Sequence, residues 1–491
     1  MLSVLGGPKR TCDGITRRDL LQAGSLGLLG TLGLPGLLEA EGLRRNQPQR
    51  AAGGAPRFAG KAKSVILLNL FGGPPTQDMW DMKPQAPLEV RGPFRPIATS
   101  APGVQICEHL PRMAKWMHRS ALIRSINRTG NDHTPLPMLT GYTGPTAAGS
   151  FQASPSDPPS VGSVMSYLGM GNGTCPPYVQ MPCDIGWGQN TKRPGQYAGF
   201  LGKQYDPLVT ECSPHVPLPA TFHLPQIVRG TPQLPMMSSA ITLDRLRSRR
   251  TLLGQLDLSL RDVGDGPLVG HNEHYHQAFN LLTSPECRAA FDLDQEDPRI
   301  RDRYGRSLWG ESTLIARRLI ERGARFVSST YDLFWTTTGK VAVSARDVDA
   351  NGWDLHYDAH LFLKDLLLPQ LDMVYNALME DLERTGLLDE TLVVVLGEMG
   401  RTAQINPEAG RGHWTQCYSV MLSGAGIQGG AVWGASDKRA EWPSLHPTSP
   451  GDLCATVYRA LGIDPEMVVH DRANRPISIS HGGKPIDAIL A

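Results

Sequence analysis

Thr391-Leu392-Val393-Val394-Val395-Leu396-Gly397-Glu398-Met399-Gly400-Arg401-Thr402 sets an unbroken apolar run directly before a glycine-flanked acid and an arginine. A continuous run of Leu and Val with no polar face reads as a strand buried on both sides, the mark of a parallel sheet. Just upstream, Leu367, Leu371, Val374, Leu378 and Leu382 share one stripe of a helix over roughly 362–385, with Pro369 near its start and Gly386 after its end. A helix and a four-residue turn thus lead straight into the strand, and the polar residues gather where the strand stops.

The same pattern recurs outward from this stretch. Ser64–Leu70 is a short apolar run ending at Gly72-Gly73, and Ala121–Ile126 reads as a further strand. From Ser307 to Arg322, Leu308, Ile315 and Leu319 line one helical face, with Gly323 as a stop before the strand Arg325–Thr330. Tyr418–Leu422 and a helix at 452–461 follow, and Leu243–Asp262 and Glu273–Leu282 have helical character. Strand and helix in alternation predict an α/β fold, a mostly parallel sheet with helices on both faces. The stretch Pro135–Pro235 holds 17 of the 40 prolines. It is expected to contain neither helix nor central strand, and to form a Pro-rich, loop-rich insertion at about 145–235.

The charge balance, 48 Lys and Arg against 47 Asp and Glu, gives a net +1 and excludes a nucleic-acid binder held by bulk charge. Thr16-Arg17-Arg18-Asp19-Leu20-Leu21 with the Leu/Gly/Ala stretch after it reads as a twin-arginine signal peptide over 1–40, and 41–62 as a linker. An arginine pair before a chance leucine-rich run is the alternative. The signal reading implies the twin-arginine export machinery as a partner and a periplasmic or exported protein. Residues 63–491 then form a single domain with no integral membrane span. The eight cysteines show no C-x-x-C; Cys12 lies in the signal, and Cys175 with Cys183 is the disulfide favoured by their place in one loop.

Ligands of open α/β sheets bind beyond the carboxyl ends of strands, so the residues there are the candidates. After the first strand come Gly72-Gly73, Asp78 and Asp81. After the second comes Asn127 to Thr134, with Asp132 and His133. After the third, by a longer loop, come Asp354 and His356, and after the fourth Glu398 and Arg401, then Arg411 and His413. Carboxylates and imidazoles converging from several strands suit a divalent cation, and two such ions ~4 Å apart can clamp an ester's attacking and leaving oxygens. Asp78, Asp354, His356, Glu398 and His413 are the candidate metal ligands; Arg401 would fork onto substrate anion oxygens. Taken singly, each has a plainer reading: Asp354/His356 a surface pair, Glu398 an ion-pair partner of Arg401, His133 a helix cap, Asp78 a turn residue. The histidines of 270–276 read as a solvated helix face.

These motifs, with Arg303-Tyr304-Gly305, Ala316–Glu321 and Trp353-Asp354-Leu355-His356, resemble the bacterial family known as domain of unknown function 1501 over nearly all of the mature chain. That family is similar to the alkaline phosphatase and sulfatase superfamily. The resemblance implies an alkaline-phosphatase-like fold with metal at the strand ends, either one or two ions of zinc, manganese or calcium. It also implies that Asp354, His356 and His413 match ligand positions and that Glu398 stands where Asp is usual. The superfamily's nucleophile position falls on Asn131, which cannot attack. Thr134 beside His133 is the nearest hydroxyl, and a bound hydroxide is the other candidate. Asn69 stands where a first-strand acid is expected.

Two readings follow. The first is an exported, metal-dependent hydrolase of sulfate or phosphate esters, with an anionic small molecule or a glycan as substrate and Thr134, His133 and Arg401 as catalytic residues. The second is a non-catalytic exported binding or cell-envelope protein that keeps the fold.

Overall fold

The computed structural model describes residues 60–128, 130–146, 151–186, 191–211, 230–234, 284–331 and 352–491. The expected signal and nearly all of the linker, the helices at Leu243–Asp262 and Glu273–Leu282 and the histidines of 270–276 lie outside the described residues. The chain divides into two units, 1–53 with 472–474 and 54–471 with 475–491, and the fold below is that of the second.

In chain order, β1 (Ser64–Leu70) and β2 (Ser120–Ile126) precede α1 (Leu136–Thr140), α2 (Val161–Tyr167), β3 (Tyr178–Met181) and β4 (Leu208–Val209). After them come α3 (Leu308–Glu321), β5 (Phe326–Tyr331), α4 (Leu368–Arg384) and β6 (Thr391–Leu396). A short pair, β7 (Gly400–Arg401) and β8 (His413–Trp414), leads to β9 (Tyr418–Gly424), β10 (Val432–Trp433) and α5 (Pro450–Ala460). One eight-stranded sheet runs β10-β2-β9-β6-β1-β5-β3-β4. Every neighbouring pair is parallel except the two that β9 makes with β6 and β2.

The central strands are apolar because both of their faces are covered. Along β1, Ile66, Leu68 and Leu70 enter one core with Ile315 and Leu319 of α3, and with Leu371, Val374, Leu378 and Leu382 of α4. Val65, Leu67 and Phe71 enter the other, with Val161 and Val164 of α2 and Leu453 and Val457 of α5. Period-two alternation on β1 thus feeds two cores from one strand. The helix ends follow local chemistry: Ser307 caps α3 by accepting from the Gly310 N–H (3.0 Å), and Gly323 ends that helix at φ +98°. Ahead of α4 the chain makes a π-helical turn, Leu363–Leu367. Pro369 follows it, and its missing N–H and its clash four residues back preclude a regular passage there.

One expectation about the fold is overturned. The Pro-rich stretch contains α2, and it contains β3, which lies inside the central sheet between β5 and β4. The prolines flank these elements rather than interrupt them: Pro177 and Pro182 stand just outside β3, where no ladder N–H is lost. The Cys175–Cys183 pairing fails for the same reason. β3 lies extended between them at ~3.3 Å per residue, far beyond the reach of a disulfide. None of the described cysteines is in a disulfide, and the Cys175 thiol contacts Cys287 instead.

Register fixes where the polar loops emerge. Asn69 of β1 stands level with Thr330 of β5 and Leu396 of β6. Because β9 is antiparallel to both β6 and β2, β2 points the same way as β1, and Ile126 at its end faces Tyr418 at the start of β9. The loops after β1, β2, β5 and β6, and the approach to β9, therefore all leave one edge of the sheet.

Candidate metal centre

The β1 loop comes first. Gly72 and Gly73 hold φ of +120° and +80°, and a Cβ on Gly72 would meet the backbone N of Asp354 at 2.5 Å. Only glycine lets these two loops touch. The Gly72 N–H donates to both carboxylate oxygens of the fully buried Glu398 (3.0 and 3.1 Å). Glu398 Oε1 lies 2.7 Å from His133 Nδ1. A neutral imidazole has one N–H and one lone pair. In the neutral form that a metal ligand must adopt, Glu398 takes the Nδ1–H and the Nε2 lone pair would point the other way.

That direction is where the remaining groups meet. His133 Nε2 lies 3.0 Å from His413 Nε2 and 3.1 Å from Asp354 Oδ2. His413 Nε2 is 2.9 Å from His356 Nε2 and 3.3 Å from Asp354 Oδ1, and His356 Nε2 is 3.0 Å from that same oxygen. The backbone of each arm is clasped in turn: Asn131 Nδ2 donates to the His413 carbonyl (3.1 Å) and Asn406 Nδ2 to that of His356 (2.9 Å). His413 reaches the cluster on β8, opposite Arg401 of β7.

These residues fit a divalent metal. Among the described residues, His133, Asp354 and His413 form a set whose ligand atoms lie within 4.8 Å of one another. Bonds of ~2.1 Å at tetrahedral angles place neighbouring donors ~3.4 Å apart, near the separations seen. Imidazole nitrogens facing each other with a single carboxylate favour zinc or manganese over calcium, which prefers an all-oxygen shell. The cluster is reachable: the His356 and His413 side chains are 29% and 25% exposed, while Glu398 and Arg401 are fully buried behind them.

The electrostatics of the cluster reflect this crowding. Burial disfavours a charged His133, but its hydrogen bonds to Asp354 and Glu398 outweigh that and raise its pKa to about 9. Burial also works against the Asp354 carboxylate, yet the Arg401 charge and three imidazole contacts hold it well below the usual carboxylate range. His413 is pushed down by burial and by the nearby Arg401 and His133 charges, against the pull of Asp354.

The structure brings His133, Asp354, His356 and His413 together and places the other candidates differently. Glu398 presents no oxygen to the meeting point, because both are engaged behind His133. Arg401 does not face solvent. Its Nε donates to the Gly73 carbonyl (2.8 Å), its Nη1 to that of Arg411 (3.2 Å), and its Nη2 to the Gly72 carbonyl and Asp354 Oδ1. Asp78 is fully buried in a two-pronged ion pair with Arg411, each contact 2.8 Å, with His360 at 3.4 Å. Burying either charge alone would be prohibitive, which explains the pairing. Thr134 is buried, and its hydroxyl oxygen accepts from the Leu136 N–H at the start of α1 (3.4 Å). Within the candidate stretch Asn127 to Thr134, the sequence gives no role to Arg128, whose Nε donates to the Glu398 carbonyl (3.2 Å), and none to Asn131 beyond excluding it as a nucleophile.

Several solved structures overlap this chain in part. A sulfatase from Pseudoalteromonas sp. is 13% identical, covering 87% of this chain and 71% of its own at a TM-score of 0.34. A phosphonate monoester hydrolase from Silicibacter pomeroyi is 11% identical, covering 88% and 76% at 0.35. Ps i-CgsB in complex with k-i-k-neocarrahexaose is 10% identical, covering 87% and 75% at 0.37. Overlap at this level carries no inference for the present chain. No curated protein matches the sequence. The profile of the family described as protein of unknown function, DUF1501, spans residues 62–490, and the chain belongs to that family.

Proposed function

We propose that the chain is an exported, metal-dependent hydrolase of sulfate or phosphate esters, with anionic glycans as the first substrate class to test. The observation that carries this reading is the meeting of His133, Asp354 and His413, with His356 beside them, at the ligand-binding edge of a parallel sheet. A divalent ion held there supplies Lewis acidity to an anionic ester. Glu398 keeps the proton of His133 on Nδ1 and fixes the ring, while the buried Arg401 keeps Asp354 ionised. His356, the most exposed imidazole of the group, borders the open side of the cluster. Thr134 remains the nearest side-chain hydroxyl in sequence to His133.

The second reading, a non-catalytic exported binding or envelope protein, is favoured by one observation: the Thr134 hydroxyl and the Arg401 guanidinium are both buried and engaged within the protein. Elemental analysis of the purified full chain, followed by turnover of aryl sulfates and aryl phosphates with and without chelator, separates the two. The hydrolase reading expects bound divalent metal, chelator-sensitive turnover and loss of at least ~100-fold in rate in His413→Ala. Bound metal without turnover of any ester would leave the binding reading standing.

A further inference from the structure

Resting on the proposed metal-dependent reading, we infer that the centre holds a single divalent ion per chain, because Arg401 already occupies the position a second ion would take. The two oxygens of Asp354 divide the cluster. Oδ2 faces His133 Nε2 at 3.1 Å, and His413 Nε2, 3.0 Å from His133 Nε2 and 3.3 Å from Oδ1, completes three donors to an ion. Oδ1 faces His356 at 3.0 Å, and these two atoms are the pair that a second ion, bridged by the carboxylate, would need. Arg401 has taken both. Its Nη2 is bonded to Asp354 Oδ1, and its Nη1 lies 3.3 Å from His356 Nε2.

The guanidinium has no room to withdraw. Its side chain is fully buried, and besides Asp354 it donates to the carbonyls of Gly72, Gly73, Trp353 and Arg411. Those carbonyls belong to the loops after β1, after β5 and between β7 and β8, so the side chain is anchored from three directions. Its neighbour Arg411 is held as firmly, by Asp78 and the Val90 carbonyl (2.8 Å). A guanidinium stays charged at any pH the fold survives. A second divalent ion would therefore sit against a fixed like charge and compete with it for one carboxylate oxygen. Arg401 is a positioning residue in this arrangement. It keeps a fixed positive charge against Asp354 from behind the cluster, and does so without being a removable cofactor.

The test is a stoichiometry measurement on the full-length chain, stripped with chelator, reloaded separately with Zn(II) and Mn(II), and desalted. Elemental analysis should give one ion per chain, and the Mn(II) form should show the electron paramagnetic resonance spectrum of an isolated ion. Two ions per chain, or a spin-coupled Mn(II) pair, would overturn the inference while leaving the metal-dependent reading intact. No retained ion would overturn that reading, and the inference with it. His413→Ala should abolish retention, whereas His356→Ala should keep one ion per chain; loss of the ion in His356→Ala would place it on the Arg401 side and refute the assignment. Arg401→Gln should raise the saturating stoichiometry toward two. Because that variant removes several buried hydrogen bonds, the wild-type count remains decisive if it does not fold.

Discussion

Glu398 shows what a residue can contribute without touching the reacting groups. Its carboxylate is stretched between the Gly72 N–H and the Nδ1 of His133, and the orientation of that imidazole depends on it. Replacing it by glutamine keeps the shape and removes the charge. Glu398→Gln should weaken metal affinity by roughly 10- to 100-fold with little change in melting temperature. Competition with a chromophoric chelator measures the first, and thermal unfolding the second; unchanged affinity would mean that Glu398 does not set the ring. At this scale the sequence was half legible. The types of residue at the site could be read because carboxylates and histidines followed buried strands. Which of them face the meeting point could not, since Asp78 and Glu398 differ from Asp354 only in what the fold packs against their oxygens. Arg411 decides Asp78, and His133 with Gly72 decides Glu398.

At the scale of elements, strands that carry their own signature were readable. Ser120–Ile126 and Thr391–Leu396 are long enough and apolar enough to stand out. Tyr178–Met181 is four residues bracketed by prolines, and its place inside the sheet comes from its neighbours β5 and β4 rather than from its own composition. The loop after β1 was legible through its glycines, and its geometry now gives a sharper expectation. An alanine at Gly72 must adopt φ near +120° and place its Cβ 2.5 Å from the Asp354 backbone. Gly72→Ala should therefore cost about 1–3 kcal/mol in stability and push the Asp354 arm away from His133. Denaturant unfolding together with metal titration checks both parts. A variant as stable as wild type with full affinity would show that the two loops do not need this contact.

For the molecule as a whole, acid sensitivity offers a test of the fold remote from the site. His481, at a turn near the carboxyl end and edge-on to Tyr142, is driven down by burial to a pKa of about 4 from an ordinary value near 6.5. The neutral ring is favoured in the folded state, so its contribution is fully present above pH 6.5 and is lost as pH falls toward 4, when the unfolded chain takes up the proton first. The loss by pH 4 is on the order of 3 kcal/mol. His481→Asn, which tolerates the positive φ at this position, should lose less melting temperature than wild type between pH 7 and pH 5. Equal losses in the two proteins would remove His481 from the account. The broad architecture was legible from alternation of strand and helix. The closing strand β9 was legible as a strand but not in its direction, because direction is decided by where a chain returns and not by what it contains.

That reversed strand has a consequence for the order of assembly. His133 and His413 are 280 residues apart and touch only because β9 runs back to the edge from which the β2 loop departs. The donors have no local geometry in an unfolded or half-built chain, so an ion cannot nucleate this protein as it does a small zinc module. The sheet must close first, and a metal bound at these donors would be the last component to arrive.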